Sequence, residues 1–286
     1  MYKVLTYKKI SVAVGVVCVF AILITVIFYC PPVRYVFSNS SVKLAVIMYH
    51  QISENSAIWG NYVIPSEMLR EDFAYMKKCG YHPVSTNDLK EFINGDKRLP
   101  DNPVLITFDD GERTFLTKVV PLLEEFNYPA VVSVVGSLTD LYTENGDTND
   151  KYAYLNWDDM KELSKNPLVE IGNHSYNMHS LGNRRGMGKI YGENETDYRK
   201  ALADDFSLIH SEFTEYLGSV PTLLAYPYGI RNDILFEYAK GMGYTVTLTC
   251  RESVNTICTG GTLYELGRFN RPFKESTQEF FSGIFG

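Results

Sequence analysis

The sequence predicts an α/β protein built on a mainly parallel sheet or barrel and preceded by one transmembrane helix. Apolar runs of strand length alternate with amphipathic stretches, which is the pattern of repeated βα units. A single uncharged apolar run near the N-terminus is long enough to cross a bilayer. The remaining chain, from 286 residues that are 45% hydrophobic, holds enough apolar material for one large α/β core or two small ones.

Taken in order, the first element is "ISVAVGVVCVFAILITVIFYC", Ile10 to Cys30. It matches the ~30 Å of hydrocarbon that a helix rising ~1.5 Å per residue must span. Lys3, Lys8 and Lys9 precede it and Arg34 follows, so the positive-inside rule puts residues 1–30 in the membrane with a cytoplasmic stub, and the rest outside the cell. A cleaved signal peptide is the rival, but the apolar stretch exceeds the usual ~7–15 residues and no A-x-A site follows. A buried core helix would show a polar face, and this run has none. Residues 31–41, "PPVRYVFSNSS", read as a tether whose prolines end the helix.

The globular domain is expected over residues 42–286. Its strand candidates are "KLAVIMYH", "VLITFDDG", "AVVSVVG", "LVEIGNH", "LLAYPYG" and "YTVTLTC". "SEMLREDFAYMKKCG" is a helix with Gly80 as its stop signal. Two polar segments, residues 138–156 and 181–200, read as long loops, and loops of that length are usually lids or surface insertions.

Composition removes some functions. A formal charge of −7, a pI near 5.3 and the lack of a basic stripe argue against nucleic acid as a partner. The five cysteines show no CxxC spacing. Cys250 and Cys258 either pair outside the cell or remain ordinary thiols.

In parallel α/β architectures the site gathers at the carboxyl ends of the strands. Those ends carry His50, the Asp109/Asp110 pair, His174 and the "PYG" of residues 227–229. His174 and His179 lie five positions apart, about 140° around a helix of ~3.6 residues per turn, so a returning loop must bring them together. Two imidazoles and a carboxylate suit zinc or another first-row divalent ion. Two neighbouring carboxylates can then divide the work, one binding the cation and the other taking a proton from water. A solvated Asp-Asp-Gly turn is the structural alternative. Against it, "VLITF" delivers both carboxylates to the lip of the core.

"TFDDG", a later His-Ser and "PYG", in that order, resemble the polysaccharide deacetylase family (NodB-homology domain, carbohydrate esterase family 4) over roughly residues 44–271. The likeness is greatest to the branch that deacetylates poly-N-acetylglucosamine, through "MYH" and the wider HxxxxH spacing. The resemblance implies a distorted (β/α) barrel with fewer than eight regular units. It implies Asp109 as general base, Asp110, His174 and His179 as ligands of a divalent ion (zinc, with cobalt or nickel as alternatives), and the Tyr228 backbone N–H as oxyanion donor. Two family features are absent: Ala225 replaces the arginine of R-x-P-Y-G, and no histidine follows His210. Arg268 is the inferred substitute for the first, with a surface arginine as its alternative; the resembling branch implies that His50 of "MYH" fills the acid role of the second, with a strand-end histidine capping or packing locally as its alternative.

The function implied is a monomeric, membrane-anchored hydrolase removing N-acetyl groups from an extracellular polysaccharide such as poly-N-acetylglucosamine or peptidoglycan. An O-acetyl esterase and a glycan-binding pseudoenzyme are the rivals. Trp157 is a candidate for stacking on sugar rings, while His82 and His210 read as surface residues.

Overall fold

The computed structural model describes residues 41–285. The expected transmembrane run and residues 31–40 of the tether lie outside the described residues. Among the described residues, no helix is long and apolar enough to cross a membrane.

The first half of the domain runs β1 (Ser41–Tyr49), β2 (Gln51–Ile52), β3 (Val63–Ile64), α1 (Ser66–Cys79), β4 (His82–Pro83), α2 (Thr86–Ile93), β5 (Pro103–Phe108), α3 (Val120–Phe126), β6 (Ala130–Val134), α4 (Gly136–Asn145) and α5 (Trp157–Leu163). The second half runs β7 (Val169–Asn173), α6 (Glu195–Leu217), β8 (Leu223–Ala225), α7 (Asp233–Gly241), β9 (Val246–Leu248), β10 (Asn255–Cys258), β11 (Leu263–Leu266), β12 (Phe269–Asn270) and α8 (Thr277–Phe285). All six strand candidates form, as does the helix ending at Gly80, whose φ of +73° makes the left-handed cap.

The main sheet is ordered β10-β1-β5-β6-β7-β8-β9-β11, with β4 beside β5. Its pairings are parallel except for β10 against β1. The chain leaving β11 continues into β12, which runs parallel to β1. Residues 263–270 therefore carry the sheet from its last strand back towards its first and nearly close it. The expected (β/α) barrel is present in this form, a nearly closed mixed α/β sheet.

Successive residues of a strand face opposite ways, and the core follows that alternation. Leu44, Val46, Leu105, Val131, Leu223, Ala225, Val246, Leu248, Leu263 and Leu266 come from strands all around the sheet yet share one cluster, as barrel-interior residues must. Leu89 and Phe92 of α2 join it and plug one end. The intervening residues, such as Ala45, Ile47, Ile106 and Val132, pack outward against Leu69, Phe73 and Met76 of α1 and against Trp157. Both faces are buried, so the strands read as continuous apolar runs.

The same alternation separates two arginines three positions apart. Arg268 enters the barrel, whereas Arg271 turns to the outside and pairs with Asp72 of α1 at 2.8 Å, both side chains fully buried. Tyr49 and Thr277 also donate to Asp72, which completes its hydrogen bonds.

Four expectations are corrected. The 138–156 segment is not all loop: α4 takes up its first part as a surface helix, and only Gly136 and Thr139 are buried, so its polar composition hid it. Helix α6 likewise begins inside the second segment, with the Asn194 side chain accepting from Asp197 N as its cap. Trp157 is 1% exposed, donates to Asp140 and stacks on Tyr216, so it cannot meet a sugar. His210 is half-buried against Tyr244, at 2.9 Å from its hydroxyl, whereas His82 is exposed as expected. Cys250 and Cys258 are free thiols.

Candidate active site

Strand register brings the motifs together. Tyr49 pairs with Phe108, so the next residues, His50 and Asp109, leave their strands side by side, and Asp109 N donates to Tyr49 O at 3.0 Å. Val134 pairs with Asn173, and Asn173 with Leu224, so His174 emerges beside the start of "YPYG".

The two aspartates part company through backbone conformation. Asp110 has φ +70° and Gly111 φ +78°. A left-handed aspartate is uncommon and costs energy, which functional sites often tolerate. Glycine is required at 111, because a Cβ there would lie 2.8 Å from Val134 Cγ1. This turn leaves Asp109 pointing into the barrel and Asp110 among the histidines.

Asp109 is 3% exposed and receives both arms of Arg268, Nη1 to Oδ1 and Nη2 to Oδ2, each at 2.7 Å. Arg268 is itself fully buried, with Nε donating to Thr249 O at 2.9 Å. The surface alternative for this arginine is excluded, and the vacancy at Ala225 is filled from elsewhere in the chain. Burial alone would raise the Asp109 carboxyl. The Arg268 charge, together with its two hydrogen bonds, leads the opposing influences, and Asp109 is held well below the usual carboxylate range.

Asp110, His174 and His179 each offer a ligand atom, and these atoms lie within 4.8 Å of one another. His174 Nδ1 is 2.8 Å from Ala225 O. A carbonyl only accepts, so Nδ1 carries the proton and, in the neutral ring, Nε2 presents a lone pair. Burial pushes His174 below its ordinary value and keeps it neutral, against the pull of Asp109 and Asp110. Yet Nε2 faces Asp110 Oδ1 at 3.5 Å. His179 Nε2 approaches the same oxygen at 3.1 Å without hydrogen-bond geometry, and Oδ1 is buried with no hydrogen-bond partner among the described residues. An imidazole lone pair aimed at an unpartnered carboxylate is unfavourable unless a cation lies between them, so the donor set fits a divalent ion.

His50 is also pushed down, by burial first, against the raising effect of Asp109 and Asp110, and its Nδ1 has no hydrogen-bond partner among the described residues. Tyr62 packs edge-on against it with ring centroids 4.8 Å apart. Tyr228 has φ +58° in the turn after β8, and its half-exposed ring stacks on His179 at 4.7 Å. A third carboxyl, Glu112, was not singled out from sequence although it directly follows "TFDDG". Burial, reinforced by Asp110 and Asp109, pushes it well above the usual carboxylate range.

A family model described as polysaccharide deacetylase matches residues 96–247. Poly-beta-1,6-N-acetyl-D-glucosamine N-deacetylase of Escherichia coli K12 is 31% identical over 222 residues, which cover 71% of this chain and 33% of that protein. The chain thus spans about a third of the length of that relative. The enzyme of the same description from Staphylococcus aureus MRSA252 is 25% identical over 199 residues, covering 68% of this chain and 64% of the relative. Among solved structures, a de-N-acetylase from Aggregatibacter actinomycetemcomitans superposes with a TM-score of 0.73 at 25% identity, covering 84% of this chain and 99% of that one. IcaB from Ammonifex degensii shares the fold with a TM-score of 0.66 at 23% identity, covering 80% and 92%.

Proposed function

The chain belongs to the polysaccharide deacetylase family, and from that premise we propose that it removes N-acetyl groups from an extracellular or cell-wall glycan, poly-N-acetylglucosamine or peptidoglycan, releasing acetate. The observation that carries this reading is a dry, arginine-clamped Asp109 beside the Asp110, His174 and His179 cluster. The names of the Escherichia coli and Staphylococcus aureus relatives favour an N-acetylated substrate.

Each residue has a task in hydrolysis. Asp110, His174 and His179 would hold the divalent ion, zinc first, with cobalt or nickel as alternatives. That ion would supply positive charge to acidify water and polarise the acetyl carbonyl. Asp109, kept charged by Arg268, accepts the proton of the attacking water. The proton that Asp109 takes from water must then reach the leaving nitrogen, and His50, whose Nδ1 has no hydrogen-bond partner among the described residues, is the group that would relay it. The backbone N–H of Tyr228 serves the developing oxyanion. The missing arginine and the missing late histidine are the two features that favour a binding-only protein, and with Arg268 clamping Asp109 the first of them loses its force.

Acetate release by the full-length protein tests the proposal. N-acetylglucosamine oligomers should yield acetate faster than O-acetylated xylan. Chelator should abolish release and added divalent metal restore it. No release with any divalent metal would sink the hydrolase reading, and a preference for the xylan would move it to an esterase.

We further propose that Ile10 to Cys30 anchors the chain as a single span with the catalytic domain outside the cell, supported by the lysines before it. The protein should stay with carbonate-washed membranes and be cut by protease added to intact cells. Its release by carbonate would overturn the anchor.

A further inference from the structure

Between the two candidate histidine ligands lies a short loop, Ser175 to Met178, in which all four backbone amides and two of the four carbonyls are hydrogen-bonded. Its first two carbonyls are taken by the start of α4: Gly136 N donates to Ser175 O at 3.1 Å, and Ser137 N to Tyr176 O at 2.8 Å. Ser175 sits at φ +75°, an unfavourable conformation for a residue with a Cβ. Its amide donates to Asn173 Oδ1 at 2.8 Å, and its hydroxyl accepts from Met178 N at 3.1 Å. The two amides left, those of Tyr176 and Asn177, donate to a single carboxylate. Asp205 accepts the first at Oδ1 (2.9 Å) and the second at Oδ2 (2.8 Å).

Asp205 is 5% exposed on α6, a helix that contacts the loop from outside the barrel. Five residues later the same helix presents His210 to the Tyr244 hydroxyl, and that hydroxyl receives Asn173 Nδ2 at 2.5 Å. One helix therefore fixes both the residue before His174 and the middle of the loop that ends at His179.

We propose that Asp205 is the positioning residue of the metal-ligand loop: by binding two consecutive amides with its two oxygens, it sets the separation of His174 and His179 and with it the affinity of the site for a divalent ion. The inference rests on the reading of Asp110, His174 and His179 as the ligand set. The reasoning is geometric. The loop holds a strained serine, and its wide five-residue spacing leaves many conformations in which His179 points elsewhere. A carboxylate whose two oxygens match two successive N–H groups selects one of them. Asparagine offers one acceptor oxygen, and its NH2 would face the second N–H, so it can satisfy only half of the arrangement.

The test is chelator-competition titration of the full-length protein with zinc, together with visible spectra of the cobalt form. Removing groups that orient metal ligands typically weakens affinity about 10–100-fold. Asp205→Asn is expected to fall in that range, with Asp205→Ala at least as weak and the cobalt spectrum altered in both. Asp72→Asn, at a buried carboxylate of α1 paired with Arg271, controls for general loosening. It should lower the melting temperature of the metal-free protein but leave zinc affinity within about twofold of wild type, because its partners lie outside the ligand loop. If Asp205→Ala does not fold, Asp205→Asn decides alone. Normal zinc binding by the wild type with unchanged affinity in the Asp205 variants would overturn this inference. No binding by the wild type would overturn the metal reading and this inference with it.

Discussion

Asp109→Asn is expected to lower kcat for acetate release by roughly 10²–10⁴-fold, the usual worth of a positioned general base, while zinc affinity changes by only a few fold. The split follows from the turn at Asp110 and Gly111, which sends the two neighbouring carboxylates to different partners. Asp109 meets Arg268 in the barrel, with its Oδ2 3.9 Å from His174 Nε2. Asparagine keeps the size of the side chain but has no charge with which to take a proton. It also turns an NH2 towards the guanidinium, so the variant must be assayed well below its own melting temperature. Measuring kcat beside a chelator-competition Kd checks the claim. A folded variant that keeps more than a tenth of wild-type kcat would remove Asp109 from the base role.

The parallel strands were readable because a barrel strand is buried on both sides and so appears as an unbroken apolar run, as in "VLITF" and "AVVSV". The chemistry at their ends was readable because the residues stand directly after those runs. Helix α4 was hidden because it lies on the surface and buries almost nothing. Partnerships across the chain were the least accessible. Arg268 is 159 positions from Asp109, and nothing local separates it from Arg271, which flanks the other end of the two-residue β12 and does a different job on the opposite face of the sheet. The protonation of His174 is set by a backbone carbonyl on β8, belonging to the very Ala225 whose side chain signalled a missing arginine. Asp205 adjoins the exposed Asp204, and only the packing of α6 shows which of the two is buried.

Arg268→Met should carry the larger cost in stability, about 3–5 kcal/mol at pH 7, the range seen when one member of a buried ion pair is removed. The dependence on pH should also reverse. In the wild type the folded Asp109 carboxyl lies below its unfolded value. Its contribution to stability is therefore complete above the unfolded pKa of ~3.9 and is lost as pH falls towards the folded value. Without Arg268, burial remains as the leading influence and lifts the folded carboxyl above ~3.9. The folded state then binds the proton more tightly than the unfolded one, so the variant should become more stable, not less, as pH is lowered from 7 towards 5. The pH dependence of activity should shift as well. Asp109 imposes no acid limb on wild-type kcat/KM in the neutral range, whereas the variant should lose activity on acidification at a higher pH than the wild type does. Urea unfolding at pH 5 and pH 7, with kcat/KM profiles over the same interval, measures both effects. A variant whose stability deficit is the same at the two pH values would show that Arg268 fills space in the barrel without governing the charge on Asp109.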